Sequence, residues 1–97
     1  MAKYIVTSEA QADIDEILAY ISTDNFDAAI RFYDRLLDLF SMLGENPKSG
    51  RERGDITEGL RSFPESNYLI FYRVWAGNVA IARVIHGSRD IDEMFSE

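Results

Sequence analysis

The chain has 97 residues, 46% of them hydrophobic, with ten Lys/Arg against seventeen Asp/Glu for a formal charge of −7, one histidine and no cysteine. That length suits one domain over residues 1–97 with a single core, and the missing thiols exclude disulfides, thiolate metal sites and cysteine nucleophiles. The acidic balance argues against general binding to a phosphate backbone, which rests on cation contacts and counterion release.

In chain order, Lys3 to Thr7 reads as a short strand, with Tyr4, Ile5 and Val6 carrying the β preference. Ser8-Glu9-Ala10-Gln11 then fits a capping box. Ala10, Ile14, Ile17, Leu18 and Ile21 recur at helical spacing, which predicts a first helix from about Ser8 to Ile21 with Glu9, Asp13 and Glu16 largely off its apolar stripe. Ser22 to Asn25 interrupts that pattern, and Asp24 or Asn25 can cap a second helix. This one carries Ala29, Phe32, Tyr33, Leu36, Leu39, Phe40 and Leu43 at 3–4 spacing, with Gly44 where a C-cap is wanted. The short connection predicts an antiparallel helical hairpin. Glu45 to Asp55, with two glycines and a proline, reads as the one long loop.

The remaining chain is β-rich: GLRSFP, NYLIFYRVW and VAIARVIHG give three strands, and Ala76, Gly77 and Asn78 supply the turn of a tight hairpin. Asp90 to Phe95 is a candidate for a last helical turn. Strand, two helices, then three strands predicts an α+β domain, with the helical hairpin packed on one face of a small, mostly antiparallel sheet. The opening MAKYIVTSEAQADID meets acids before any apolar run, and no later stretch approaches a membrane span. Cytoplasmic residence is therefore the expectation.

Chemistry is sparse. His86 is the only histidine, so a multi-histidine metal site is excluded within one chain. As a general base it needs an orienting partner, for which Asp90 or Asp92 is near in sequence; otherwise it is a strand-end histidine satisfied by backbone or water. Ser62, Ser66 and Ser88 lack a nucleophile-elbow context. Asp13, Asp15 and Glu16 read as a solvated helix surface, and Gly50, Gly54, Gly59 and Gly77 are too scattered to cradle a phosphate. Nothing calls for a cofactor. Every cation after Lys48 is an arginine, and Arg61, Arg73, Arg83 and Arg89 lie on or beside strands, where a buried charge requires a partner. That partner is either a helix acid such as Asp34 or Asp38, or an incoming acidic protein segment or RNA phosphate. Whether Arg73 and Arg83 share a sheet face depends on the parity of the hairpin.

YIVTSEAQADIDEILAYI, AAIRFYDRLLDLFSMLGENPKSGR, GLRSFPESNYLIFYRV and ARVIHGSRDIDEMF together resemble the ParE branch of the RelE/ParE toxin superfamily of type II toxin-antitoxin modules, which include plasmid-stabilisation systems. The resemblance spans essentially the whole chain. It implies a fold similar to the order above, a cognate ParD-like antitoxin as partner, and inhibition of DNA gyrase by binding. RelE-like members are instead ribosome-dependent mRNA endonucleases. On the RelE pattern the catalytic arginine falls on Leu69 and the catalytic tyrosine on Phe95, the paired lysines fall near Thr57 and Gly59, and Arg89 alone keeps its charge. Neither Leu69 nor Phe95 can neutralise a phosphate or move a proton. The nuclease is therefore the alternative reading, and a non-toxic antitoxin-binding corepressor a second. The resemblance implies Arg61, Arg73 and Arg83 as charge partners for the antitoxin's tail, and His86, Arg89, Met94 and Phe95 as contacts to the target.

Overall fold

A computed structural model describes residues 3–91 and Phe95. The elements run in the order β1 (Tyr4–Val6), α1 (Ser8–Asp24), α2 (Phe26–Glu45), a 3-10 turn (Pro47–Ser49), β2 (Arg51–Glu52), β3 (Arg61–Glu65), β4 (Tyr68–Trp75) and β5 (Asn78–His86). The strands form one sheet in the order β1-β5-β4-β3-β2. Among these strands only the β1/β5 pairing is parallel. The two helices pack on one face, as the sequence pattern implies.

Local chemistry departs from the sequence reading at several points. The capping box does not form: Thr7 caps α1 by accepting from the Ala10 N–H (3.2 Å), while its hydroxyl donates to the carbonyls of Ile81 and Ala82. A residue that closes a strand and bonds its neighbour is better placed to start the helix than Ser8. The first helix also runs three residues beyond Ile21, because the Ser22 and Thr23 hydroxyls donate back to the Ala19 carbonyl and satisfy the last turn. Asn25 alone joins the helices. Its N–H donates to the Ile21 carbonyl, closing α1, and its side chain accepts from the Ala28 N–H, opening α2.

Gly44 is no C-cap; it lies within α2, and Asn46 ends the helix. A Cβ at Gly44 would come within 3.0 Å of the Lys3 carbonyl oxygen, so the glycine lets α2 approach the start of β1. The expected long loop contains the 3-10 turn and the two-residue β2, both too short to leave a periodicity. Tyr72 fastens this segment to the sheet. Its buried hydroxyl accepts from the Gly50 N–H and donates to the Pro47 carbonyl, each at 2.7 Å. An added Cβ at Gly50 would overlap that hydroxyl.

The β4–β5 hairpin turns on Ala76 (φ 52°) and Gly77 (φ 79°), leaving Asn78 paired with Trp75 inside the ladder. Two consecutive positive φ values suit a two-residue turn matched to strand twist. Alanine, not asparagine, thus occupies the left-handed position. Further along, the register slips opposite Phe71/Tyr72, where Phe71 faces Arg83 and Tyr72 faces Ile81, so Ala82 is the extra residue of a bulge. Of the turn expected over Asp90 to Phe95, Ile91 and Phe95 are helical; residues 92–94 lie outside the described residues.

Candidate functional site

Alternation along β4 sorts its side chains between two faces. Tyr68, Ile70 and Tyr72 join the helices' Ile14, Phe32, Leu36, Phe40 and Leu43, with Val79, Ile81 and Val84 of β5, in the main core. Leu69 and Phe71 instead belong to a smaller cluster on the outer face, where Leu60 and Ile85 are buried and Ile56, Ile91 and Phe95 pack against them. Phe95 meets Phe71 edge-on at 5.1 Å. The two positions where the RelE pattern wants an arginine and a tyrosine thus fall in one apolar cluster.

The three strand arginines are not brought together. Arg83 holds Asp13 of α1 through two hydrogen bonds (2.7 and 3.0 Å). The same carboxylate accepts from the Val84 N–H (3.0 Å), on β5 beyond the residues that β1 pairs. Asp13 is therefore not a solvated helix acid. It closes the sheet where the partner strand has ended, and its hydrogen bonds to Arg83 raise the guanidinium's pKa above the ordinary value. Neither Asp34 nor Asp38 plays this part. Arg61 lies on the helix side, donating to the Gly50 carbonyl (2.8 Å), with an outlying ion pair to exposed Glu52 at 3.7 Å. Arg73 is on the outer face, where it donates to the Glu58 carbonyl (3.0 Å).

The expected target contacts among the described residues, His86, Arg89 and Phe95, also separate. His86 sits at the end of β5 against the Tyr68 ring, and its Nδ1 accepts from the Ser88 N–H (3.1 Å) while lying 2.8 Å from the Ser88 hydroxyl. Ser88 thus orients the ring, and Asp92 lies outside the described residues. Burial pushes the Tyr68 phenol's pKa up, with Tyr20 adding to the effect. Arg89 and His86 line a shallow pocket with Asp13, Glu16, Tyr20 and Tyr68. Phe95 is on the other side of the sheet, and Met94 lies outside the described residues. Among the described residues no group of three or more His, Cys, Asp or Glu is placed to hold a metal ion. No helix among them is long and apolar enough to cross a membrane.

Apolar side chains stand open on both sides of the sheet. Leu18, Ala19, Ala29, Ile30 and Tyr33 line a groove along the helical hairpin, with Phe26 at its side; Phe26 is 68% exposed and Ile30 45%. On the outer sheet face, Trp75 is 63% exposed and Ile5 46%. Of the first surface the sequence-read helical stripes contain Leu18, Ala29 and Tyr33 but not Ala19, Phe26 or Ile30. The second was missed, because a strand residue's face depends on register, and the hairpin parity was open.

The family model for the ParE toxin of type II toxin-antitoxin systems, parDE, matches residues 4–91. The chain belongs to the ParE toxin family. Toxin ParE3 of Caulobacter vibrioides is 27% identical over 92 residues, covering 94% of this chain and 92% of the relative. Toxin ParE1 of Mycobacterium tuberculosis is 28% identical over 93 residues, covering 94% and 95%. A solved structure titled "Chromosomal ParDE TA system from P. aeruginosa" superposes with a TM-score of 0.71 at 21% identity, over 89% of this chain and 96% of that one. At that identity the likeness concerns the fold, and it agrees with the helical hairpin on a mostly antiparallel sheet expected from the sequence.

Proposed function

We propose that this chain is the toxin half of its pair, inhibiting DNA gyrase by binding rather than by cutting RNA, and neutralised by a ParD-like antitoxin. The observation that carries the choice over a nuclease is the outer-face cluster: Leu69 and Phe95 pack with Phe71 and Leu60, where the RelE chemistry needs a cation and a hydroxyl. Family membership supports the pairing with an antitoxin.

The helical groove suits an amphipathic antitoxin segment laying apolar anchors between Leu18 and Ile30. Arg61 can exchange its loose Glu52 contact for an antitoxin carboxylate. Arg83 is already committed to Asp13, and Arg73 faces away from the helices, so the antitoxin's charge contacts centre on Arg61. His86 and Arg89, at the exposed end of β5, are proposed target contacts together with Phe95 and Met94.

Induced expression in gyrase-proficient cells, with and without the antitoxin, tests the reading. Growth arrest with a DNA-damage response and continuing translation is expected, reversed by the antitoxin. A prompt translation block with cut mRNA would overturn it. Absence of arrest would instead fit the corepressor. Truncation at residue 90 is a poor probe of the C-terminal segment, because Ile91 and Phe95 cover Phe71 and Leu60; Phe95→Ala is cleaner.

A further inference from the structure

The outer sheet face is divided. Its half near Phe71 is covered by Ile56 and Leu60 of the segment between β2 and β3, and by Ile91 and Phe95. Its half near the hairpin tip is open. The register lines up Ile5, Ala80 and Arg73 across β1, β5 and β4 in one row, with Trp75 two residues along from Arg73 on the same face. Ala80 is the small residue in this row, between Ile5 and the Arg73–Trp75 pair.

Charge on this face opposes that of the chain. Arg51 is cross-strand from Ser62, which is cross-strand from Phe71, and so belongs to the outer face with Arg73. Neither arginine has a carboxylate partner within 4.0 Å among the described residues. The strand acids lie on the other side, Glu52 opposite Arg61 and Glu65 opposite Tyr68. Arg53, stacked 5.7 Å from the Phe71 ring, is held by Asp55, whose carboxyl it draws below the usual range. A chain with a net charge of −7 therefore presents its exposed tryptophan beside Arg73, an arginine with no ion pair among the described residues.

We infer that the open half of this face, Ile5, Ala80, Arg73 and Trp75, is the surface that receives the toxin's protein target, through an acidic segment carrying an apolar or aromatic anchor, with exposed Arg51 in the neighbouring Phe71 row adding positive charge to its approach. The inference rests on the proposed gyrase-binding function and separates target from antitoxin, which takes the helical groove on the opposite side of the sheet. Tryptophan and arginine are the residue types on which binding energy concentrates. Arg73 is pre-positioned by the Glu58 carbonyl, so little side-chain freedom is lost on binding. Phe95 borders the same face, so the C-terminal target contact becomes the margin of this surface.

Trp75 is the only tryptophan, so the full chain made with fluorotryptophan gives a single fluorine resonance from the centre of the surface. Purified DNA gyrase is expected to shift and broaden it. Trp75→Ala and Arg51→Glu are each expected to weaken gyrase binding about tenfold or more, with melting temperature and antitoxin affinity unchanged. Gyrase that binds at full affinity to both variants without moving the resonance overturns the inference and leaves the proposed function standing. Failure of gyrase to bind at all overturns both. An RNA oligonucleotide that moves the resonance where gyrase does not assigns the face to nucleic acid, and a shift that tracks the chain's own concentration assigns it to a second copy; either outcome overturns the inference.

Discussion

The two faces of the sheet are finished to different standards. On the helix side twelve buried residues from both helices and two strands interlock around Phe40, Leu36 and Tyr72. The outer cluster holds three buried apolar residues among those described, and past Phe71 that side exposes Trp75 and Ile5. A chain of this size has apolar surface enough to close one face, and the second is free to carry an interaction. Stability should therefore depend on the helix side, and binding on the outer side.

The sharpest way to break that contrast is Phe40→Ala. A fully buried ring in the main core should cost about 3–5 kcal/mol, read as a lower urea midpoint. Trp75→Ala on the open face should move it by about 0.5 kcal/mol or less. Comparable losses at the two positions would show that the outer face is structural after all.

Asp13→Ala removes the link between α1 and the exposed edge of β5, leaving the Arg83 guanidinium and the Val84 N–H without their acceptor. Because the pair is partly exposed, the expected loss is about 2–3 kcal/mol rather than the full penalty of a buried pair. Amide hydrogen exchange should report the opening at Val84 first. An unchanged exchange rate there would mean the edge is held by something other than Asp13.

Tyr72→Phe tests how the segment around Pro47 is attached. Loss of the hydroxyl strands the Gly50 N–H, at about 1–3 kcal/mol. The same residue sets an alkaline limit. Burial, outweighing the Gly50 hydrogen bond and the Arg61 charge, raises the phenol above its ordinary value of 10.0, so the folded state holds its proton more tightly than the unfolded state. The stability this contributes is complete below pH 10 and is lost as pH rises through the higher folded value. Denaturation midpoints above that pH should fall more steeply for the parent chain than for the variant, which keeps the smaller contribution of Tyr68. The smallest effect has the opposite sign: Ala76→Gly should stabilise the hairpin by about 0.5–1 kcal/mol, because alanine is held at a φ of 52°. A lower melting temperature would mean the turn carries no strain.

The sequence by itself determined the elements whose signals are repetitive. The stripe from Ala29 to Leu43 and the dense β-run from Tyr68 to Trp75 leave few alternatives to a helical hairpin on a sheet, because burial at a fixed period is a local property of the chain. The resemblance, not periodicity, set Leu69 and Phe95 against the positions where the RelE pattern carries an arginine and a tyrosine. Where the outcome depended on pairing between distant residues, only the tertiary structure decided it. Asp13 meets Arg83 seventy positions away, and Asp13 in α1 carries nothing to distinguish it from Glu9 or Glu16. The bulge at Ala82 and the turn on Ala76 and Gly77 fix which arginines share a face, and a shift of one residue would have reversed it. Thr7 displaced Ser8 as the cap because β5 lay within reach of its hydroxyl. Period is written along the chain and puts Trp75 on the same face as Arg73, whereas register is a contest between whole strands, and it was register that set Ala80 and Ile5 beside Arg73.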